Sequence, residues 1–207
     1  MSEVVLTIAL LDVANDAAVD AELRDAIEER QLADWEAEWR PFLYERIREM
    51  HRRGVERAQW PQNRHWDWRS KVASVRGLLG CRGICVTCQG MTQGLMQLDL
   101  TRVARLEAQK GKPLVYVEYL EAAPWNRPEL AAQPRFRGVG SALIAAAIAV
   151  SHAEGFKGRV GLHSLPQADG FYRERCSMSD LGPDLEYHGH LRYFEMTPDQ
   201  ADAFIRI

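Results

Sequence analysis

The chain has 207 residues, of which 46% are hydrophobic and 27% charged, and its formal net charge is −3. This length suits one domain with a sizeable core, and the composition is typical of a soluble globular protein. The weak negative charge gives no electrostatic reason to expect nucleic acid or an anionic membrane as a partner. The apolar run 4–11 is too short to span a bilayer and lacks the basic flank of a signal peptide. Because four cysteines do not make a secreted disulfide framework, we expect a cytoplasmic protein.

The first part of the chain is rich in Ala, Glu and Arg from Asp16 to Gly54. Large apolar residues recur there at spacings of three or four, which is typical of amphipathic helices; they are Trp35, Trp39, Leu43, Ile47 and Met50. The pattern predicts a helical N-terminal region over residues 1–70, with two helices that meet near Pro41.

An aromatic stretch, WPQNRHWDWR, occupies residues 60–69 and has no clear period. Two interpretations of its tryptophans stay open. Trp66 and Trp68 either wall a substrate pocket or simply cover the core.

The spacing of the apolar residues then changes to two, which predicts strands at residues 83–89, 94–100, 114–121, 158–163 and 190–196. The segment 139–153 is apolar almost all round and predicts a helix buried against a sheet. A short helix is predicted near 167–176, and Thr197 is suited to cap a last helix. This order of elements predicts an α/β sheet with helices on both faces.

Three cysteines lie close together in CRGICVTCQG, residues 81–90. Their C-x3-C-x2-C spacing is also the one by which a family of radical enzymes holds an iron–sulfur cluster. In a strand, however, Cys81 and Cys85 are about 13 Å apart, and Cys85 and Cys88 face opposite ways. The strand and the cluster exclude each other. We therefore expect ordinary half-buried cysteines and no metal site.

The strongest chemical signal is RFRGVGS, residues 135–141, here called the glycine loop. Two glycines leading into a helix leave several backbone N–H groups open at its N-terminus, which favours an anion. Arg135 and Arg137 add positive charge. The loop lacks the Gly-Lys-Ser/Thr of a Walker motif and the third glycine of a dinucleotide fingerprint.

The glycine loop fits the R/Q-x-x-G-x-G/A motif of the GCN5-related N-acetyltransferase superfamily. A second stretch, LPQADGFYRERCSM at residues 165–178, resembles the family's segment with an alanine followed by an aromatic-tyrosine pair, here Ala168, Phe171 and Tyr172. Leu165 departs from the family, because many members have there an Asn that helps bind the cofactor. The connection 124–134 is also longer than usual.

The resemblance covers about residues 72–196 and implies a mixed, mostly antiparallel central sheet. It implies a single acetyltransferase domain over 1–207, with the sheet core at 72–196 and a helical elaboration before it. The activity implied is direct acetyl transfer from acetyl-CoA to a primary amine of a small molecule or peptide. A homodimer is possible in such a family, and neither a metal, nucleic acid nor a membrane is implied.

The resemblance also implies roles for individual residues. The pyrophosphate of acetyl-CoA would be held by Arg135, Phe136, Arg137, Gly138, Val139, Gly140 and Ser141. Backbone groups of Glu121, Ala122 and Ala123 would pair with the pantetheine arm.

Tyr172 matches the family tyrosine and is the predicted general acid. Glu118 and Glu121, on opposite faces of one strand, are the predicted bases. His163 joins Trp66 and Trp68 as a predicted substrate contact, although it is equally suited to a structural hydrogen bond. A module that keeps the fold and binds acyl-CoA or a protein partner without catalysis is the alternative.

Overall fold

The computed structural model describes residues 5–206, so Val4, at the start of the apolar run, lies outside the described residues. Within this range, nine strands form one sheet with the order β6-β1-β2-β3-β4-β5-β7-β9-β8. The strands are β1 (Val5–Asp12), β2 (Ala17–Arg24), β3 (Cys81–Cys88), β4 (Met91–Asp99), β5 (Val115–Ala122), β6 (Phe136–Arg137), β7 (Val160–Ser164), β8 (Ser179–Pro183) and β9 (Arg192–Met196). The α-helices are α1 (Glu29–Asp34), α2 (Arg40–Arg52), α3 (Trp68–Ser74), α4 (Val139–Ala153) and α5 (Pro198–Ile205).

The sheet is mixed and mostly antiparallel. β5 and β7 run parallel, with Val115–Val117 against Val160–Leu162. The pairs β1–β2, β1–β6, β2–β3, β7–β9 and β8–β9 are antiparallel. The predicted fold class, a mostly antiparallel α/β sheet, is confirmed.

The described chain divides into two compact units. Unit 1 contains the described part of Met1–Leu78 together with Gly83–Met96 and Leu120–Leu143. Unit 2 contains Leu79–Arg82, Gln97–Tyr119 and the described part of Ile144–Ile207. The single domain over 1–207 stays a prediction.

The helical interpretation of the N-terminal region is wrong for its first third, where β1 and β2 form an antiparallel hairpin. The turn is built by Asp12, whose carboxylate accepts the Ala14 N–H at 3.0 Å and the Asn15 side-chain N–H at 2.8 Å. In β2, AAVDAELR, apolar and polar residues alternate, and Ala21 is buried while Glu22 is exposed. This period of two is a strand signal that the high content of Ala and Glu obscured.

The helices begin after that hairpin and bear out the rest of the N-terminal pattern. A π-helical turn, Trp35–Trp39, joins α1 to α2 without a break in the helical backbone. Pro41, which has no N–H to donate, lies just after this turn. Trp35, Trp39 and Leu43 are buried. Among residues 5–206, no helix combines the length and apolar character needed to cross a membrane.

The cysteine stretch forms β3, as predicted, and the cluster interpretation is wrong because the thiols follow an extended strand. Cys85 and Cys88 are buried and Cys81 is half-buried, all as free thiols. Within the described range, no group of three or more His, Cys, Asp or Glu side chains could hold a metal ion.

The predicted strands and the buried helix α4 are confirmed, with the Thr197 cap on α5. β4 packs tightly on α4, since a Cβ at Gly94 would lie 2.7 Å from Val139 and 3.0 Å from Leu143. The short helix near 167–176 is instead a 3₁₀ turn, Pro166–Ala168, followed by a π-helical turn, Phe171–Arg175. β6 and β8 were not predicted. β6 has only two residues, and β8 has five that include Gly and Pro, so neither shows an alternation of apolar and polar residues.

In unit 2 the buried carboxylate of Glu195 on β9 organises the loop before β5. It accepts the backbone N–H groups of Arg105 and Leu106 at 2.7 and 3.0 Å. The Gln109 amide and the Tyr193 hydroxyl donate to it at 2.7 and 2.9 Å. A buried charge with four donors is satisfied, so this loop is fixed to the sheet.

Gly161 on β7 is packed so closely in unit 2 that there is no room for a side chain. A Cβ there would lie 2.5 Å from the Tyr193 hydroxyl oxygen and 3.2 Å from Leu114. Gly161→Ala should therefore lower the free energy of unfolding by about 1–3 kcal/mol through overpacking, as measured by urea denaturation. Gly170→Ala is the matched control, because its Cβ would meet only Glu174 at 3.8 Å. Equal stability of the two variants would contradict this account.

Candidate functional site

The glycine loop connects a short strand to a long helix in unit 1. Phe136 and Arg137 form β6 and pair with Asp12 and Leu11 of β1. Gly138 then takes a φ of +100°, a conformation that side-chain-bearing residues rarely adopt. Gly138 is exposed, and a Cβ there would meet only Leu10, at 3.5 Å. The loop therefore turns sharply and keeps its surface open.

The helix that follows presents free backbone donors. α4 runs for 15 residues, and the Gly138 carbonyl accepts the N–H of Ala142 at 2.8 Å. The amides of Val139, Gly140 and Ser141 precede that first bond, so they have no partner within the helix. Together with the helix dipole they can bind a phosphate.

The two arginines of the loop differ in their surroundings. Arg135 donates to the Gln89 side chain at 2.7 Å and lies over the Phe136 ring, 5.1 Å from its centroid. Arg137 is exposed. The seven predicted cofactor residues of the glycine loop thus lie together at one helix N-terminus, and their role stays a prediction.

A buried carboxylate, Glu121, lies near the end of β5. Its Oε1 accepts the Asn63 amide at 2.5 Å and its Oε2 accepts the Trp68 indole N–H at 2.5 Å. The Arg127 guanidinium lies 4.0 Å from Oε1 and donates to the side-chain oxygen Oδ1 of Asn63 at 2.9 Å. Trp35 of the π-helical turn is a further donor to Glu121. Three segments of unit 1, namely the aromatic stretch, the connection after β5 and the π-helical turn, therefore converge on one carboxylate.

Burial raises the pKa of Glu121 to about 7, because loss of water disfavours the charged form. The indole of Trp68 and the Arg127 charge oppose this effect and lower the pKa. The side chain of Glu121 is only 4% exposed. It can exchange a proton near neutral pH, but both oxygens are already engaged with protein donors.

This arrangement corrects the prediction for Trp68. The ring is 0% exposed, so it covers the core and does not wall a pocket. Trp66 is half-buried, and its ring stands edge-on to that of Trp68, with 6.5 Å between the centroids. The Lys71 ammonium lies over the Trp66 ring, 4.8 Å from its centroid. A substrate contact at Trp66 stays a prediction.

The backbone after β5 is partly engaged. The N–H of Ala123 donates to the Gln93 carbonyl at 2.8 Å, and its carbonyl accepts the Asn126 N–H at 2.8 Å. The Ala123 N–H is therefore not free for a ligand, because its one proton is already used. Pairing of the pantetheine arm with the backbone of Glu121, Ala122 and Ala123 stays a prediction. Ala122 is half-buried, as is Glu118 earlier on β5.

Tyr172 belongs to unit 2 and lies in the π-helical turn Phe171–Arg175. Its ring packs at 5.2 Å from Phe171 and 5.9 Å from Phe194. Burial raises the pKa of Tyr172, so the phenol keeps its proton throughout the neutral range. A proton donor needs that property, and the catalytic role of Tyr172 stays a prediction.

His163 of unit 2 is a structural residue, which corrects its prediction as a substrate contact. Its side chain is 2% exposed and stacks on the Tyr187 ring at 3.6 Å. Nδ1 bonds the Tyr116 hydroxyl at 2.6 Å, and Nε2 bonds Asp184 at 2.9 Å. Both ring nitrogens are thus committed, and burial lowers the pKa of His163.

Sequence reasoning missed Asn63, Arg127 and Asn126. Asn63 lies inside the aromatic stretch but was overlooked beside its tryptophans, and no local pattern marks a partner 58 residues away. Arg127 and Asn126 lie in the long connection after β5, whose length was the only signal.

The raised pKa of Glu121 predicts a pH-dependent stability. The folded carboxyl titrates at about 7 against 4.5 for an ordinary glutamate, so the fold binds the proton more tightly than the unfolded chain does. This contribution is complete below pH 4.5 and is lost as pH rises through 7, by up to about 3 kcal/mol. Urea denaturation between pH 5 and 8 measures it.

Glu121→Gln cannot titrate, so its free energy of unfolding should fall less steeply over the same pH range. Replacing the exposed Glu45 by Gln is the control and should keep the wild-type slope. Parallel slopes for Glu121→Gln and the wild type would refute this assignment.

No family model and no curated protein matches the sequence. Solved structures do match. The GNAT domain of S. lividans PAT has a TM-score of 0.53 at 14% identity, covering 93% of this chain and 96% of that one. The PaiA N-acetyltransferase from Thermoplasma acidophilum, in complex with coenzyme A, has a TM-score of 0.50 at 14% identity, covering 86% and 98%. The chain therefore has the fold of the GCN5-related N-acetyltransferases, as its two motifs predicted.

Proposed function

We propose that the protein is an N-acetyltransferase that moves the acetyl group of acetyl-CoA directly to a primary amine of a small molecule or peptide. The glycine loop carries this proposal. It supplies three unpartnered amides at the start of a 15-residue helix, an open glycine with positive φ, and two arginines. Acetyl-CoA offers a pyrophosphate that matches such a donor set.

The chemistry needs a neutral amine, a polarised thioester and a proton for the leaving thiol. The amine nitrogen bonds to the acetyl carbon while the carbon–sulfur bond breaks. Tyr172 is the proposed acid, because it matches the tyrosine of the family segment and its phenol is protonated at neutral pH. It gives its proton to the thiolate of coenzyme A.

Glu118 is the proposed base. Glu121 has the pKa better suited to a base, but its oxygens are held by Asn63 and Trp68 and its side chain is 4% exposed. Glu118 is half-buried, so solvent reaches part of it. We assign Glu121 to holding the aromatic stretch in place and Glu118 to taking the amine proton.

Gly138→Val should abolish coenzyme A binding, because a β-branched residue cannot hold a φ of +100° and the amides would turn away. With coenzyme A at 100 times its dissociation constant, the wild type should gain about 5 °C or more in melting temperature. The variant should gain none.

Gly111→Val is the matched control, since Gly111 has a φ of +77° and a Cβ there would meet nothing within 4 Å. It should lower the melting temperature of the free protein and keep the coenzyme A response. No response of the wild type at millimolar coenzyme A would overturn the proposal.

Tyr172→Phe and Glu118→Gln should each lower kcat about a hundredfold, the usual contribution of a positioned acid or base. Both should keep the coenzyme A response. Turnover is measured as free thiol released from acetyl-CoA across a panel of primary amines. Tyr44→Phe on the exposed side of α2 is the control and should keep wild-type turnover.

Retained turnover in Tyr172→Phe would remove the acid from the mechanism. Binding of acetyl-CoA without thiol release for any amine would identify the chain as a non-catalytic acyl-CoA module instead.

A further inference from the structure

The long connection between β5 and the glycine loop contains an amide side chain that bridges two parts of unit 1. Asn126 donates from Nδ2 to the Gln93 Oε1 on β4 at 2.9 Å. Its Oδ1 accepts the backbone N–H of Phe136 at 2.8 Å. Phe136 stands two residues before Gly138. One short side chain therefore links the sheet to the entry of the glycine loop.

The orientation of this bridge is fixed by chemistry. The Trp125 indole N–H donates to the same Gln93 Oε1 at 2.9 Å. Because an indole nitrogen can only donate, that Gln93 atom must be the oxygen. Asn126 must then present its NH₂ to Gln93, which directs its carbonyl oxygen to the Phe136 N–H. Both ends of the bridge agree with this order.

The neighbours of the bridge are themselves held. Gln93 is buried, and its backbone carbonyl accepts the Ala123 N–H at 2.8 Å. The Trp125 ring stands edge-on to Trp39 at 6.3 Å and to Phe42 at 5.8 Å. Its carbonyl accepts the N–H of Arg135, the first residue of the loop, at 3.1 Å. The bridge thus joins the loop to a rigid base.

We propose that Asn126 is a positioning residue, which holds the glycine loop in the geometry that binds a phosphate group of coenzyme A. It acts through the Phe136 amide, while the loop amides contact the ligand. Only an Asn has the required reach with a donor and an acceptor, since Asp lacks the donor and Gln is one methylene longer. The ligand in this inference rests on the proposed function.

Asn126→Ala should raise the dissociation constant of coenzyme A about fivefold, as expected for one lost hydrogen bond. Asn126→Asp should lie between this variant and the wild type, because a carboxylate still accepts the Phe136 N–H but cannot donate to Gln93. Titration calorimetry with coenzyme A measures both. The kcat at saturating acetyl-CoA should be retained while the KM for acetyl-CoA rises.

Gln31→Ala is the matched control. Gln31 is buried, and its Oε1 accepts the Glu28 N–H at 2.9 Å, so a comparable bond is lost outside the loop. It should lower the melting temperature and leave coenzyme A binding unchanged. A purely structural role of Asn126 would make the two variants behave alike.

Amide hydrogen exchange of residues 136–141 without ligand gives a second readout. Asn126→Ala should speed exchange of these amides, and Gln31→Ala should not. Unchanged exchange in Asn126→Ala overturns the positioning role, as does unchanged affinity where the wild type binds. A wild type that binds no coenzyme A overturns the proposed function, and exchange alone then decides whether Asn126 positions the loop.

Discussion

The buried carboxylate of Glu121 is the constraint on which unit 1 depends. A charge removed from water must find donors, and Glu121 finds them in Asn63 and Trp68 of the aromatic stretch and in Trp35 of the π-helical turn. Ion pairs of Arg69 also tie this stretch to α1 and to the π-helical turn. The aromatic stretch is therefore held by hydrogen bonds and ion pairs as well as by its buried apolar surface. A pKa of about 7 makes this arrangement sensitive to pH near neutrality.

The connection after β5 links the Glu121 carboxylate and its donors to the glycine loop. Arg127 donates a hydrogen bond to Asn63 and lies 4.0 Å from Glu121. The neighbouring Asn126 donates to Gln93 and accepts the Phe136 N–H. Of these two adjacent side chains, Arg127 therefore contacts the Glu121 cluster and Asn126 contacts the glycine loop. The extra length of this connection, which departs from the usual family pattern, has a structural use, because it supplies the side chains that brace the loop. Such bracing is what a preorganised anion site requires.

Much of the fold could be predicted from local patterns, and the failures have physical causes. α4 and the strands β3, β4, β5, β7 and β9 were predicted because burial on a sheet imposes a clear period on neighbouring residues. The β1–β2 hairpin was taken for helix, since Ala and Glu favour helices while pairing with β3 decides otherwise. Trp68 and His163 were predicted to contact the substrate, because the sequence shows which groups they can offer but not which protein groups they bond. Each is buried and bonded, to Glu121 and to Asp184 and Tyr116 respectively.

The sequence by itself determined the glycine loop, because a positive φ, an unobstructed backbone and a helix start are all encoded within seven consecutive residues. It also indicated that Cys85 and Cys88 belong to a strand, since the period of two is visible in neighbouring residues, and β3 extends that strand to Cys81. The tertiary structure alone decided which polar side chains are available to a ligand. Asn63 meets Glu121 across 58 residues, and Asn126 meets Gln93 across 33. Hydrogen bonds over such separations depend on how the chain returns to itself, and no local spacing records that.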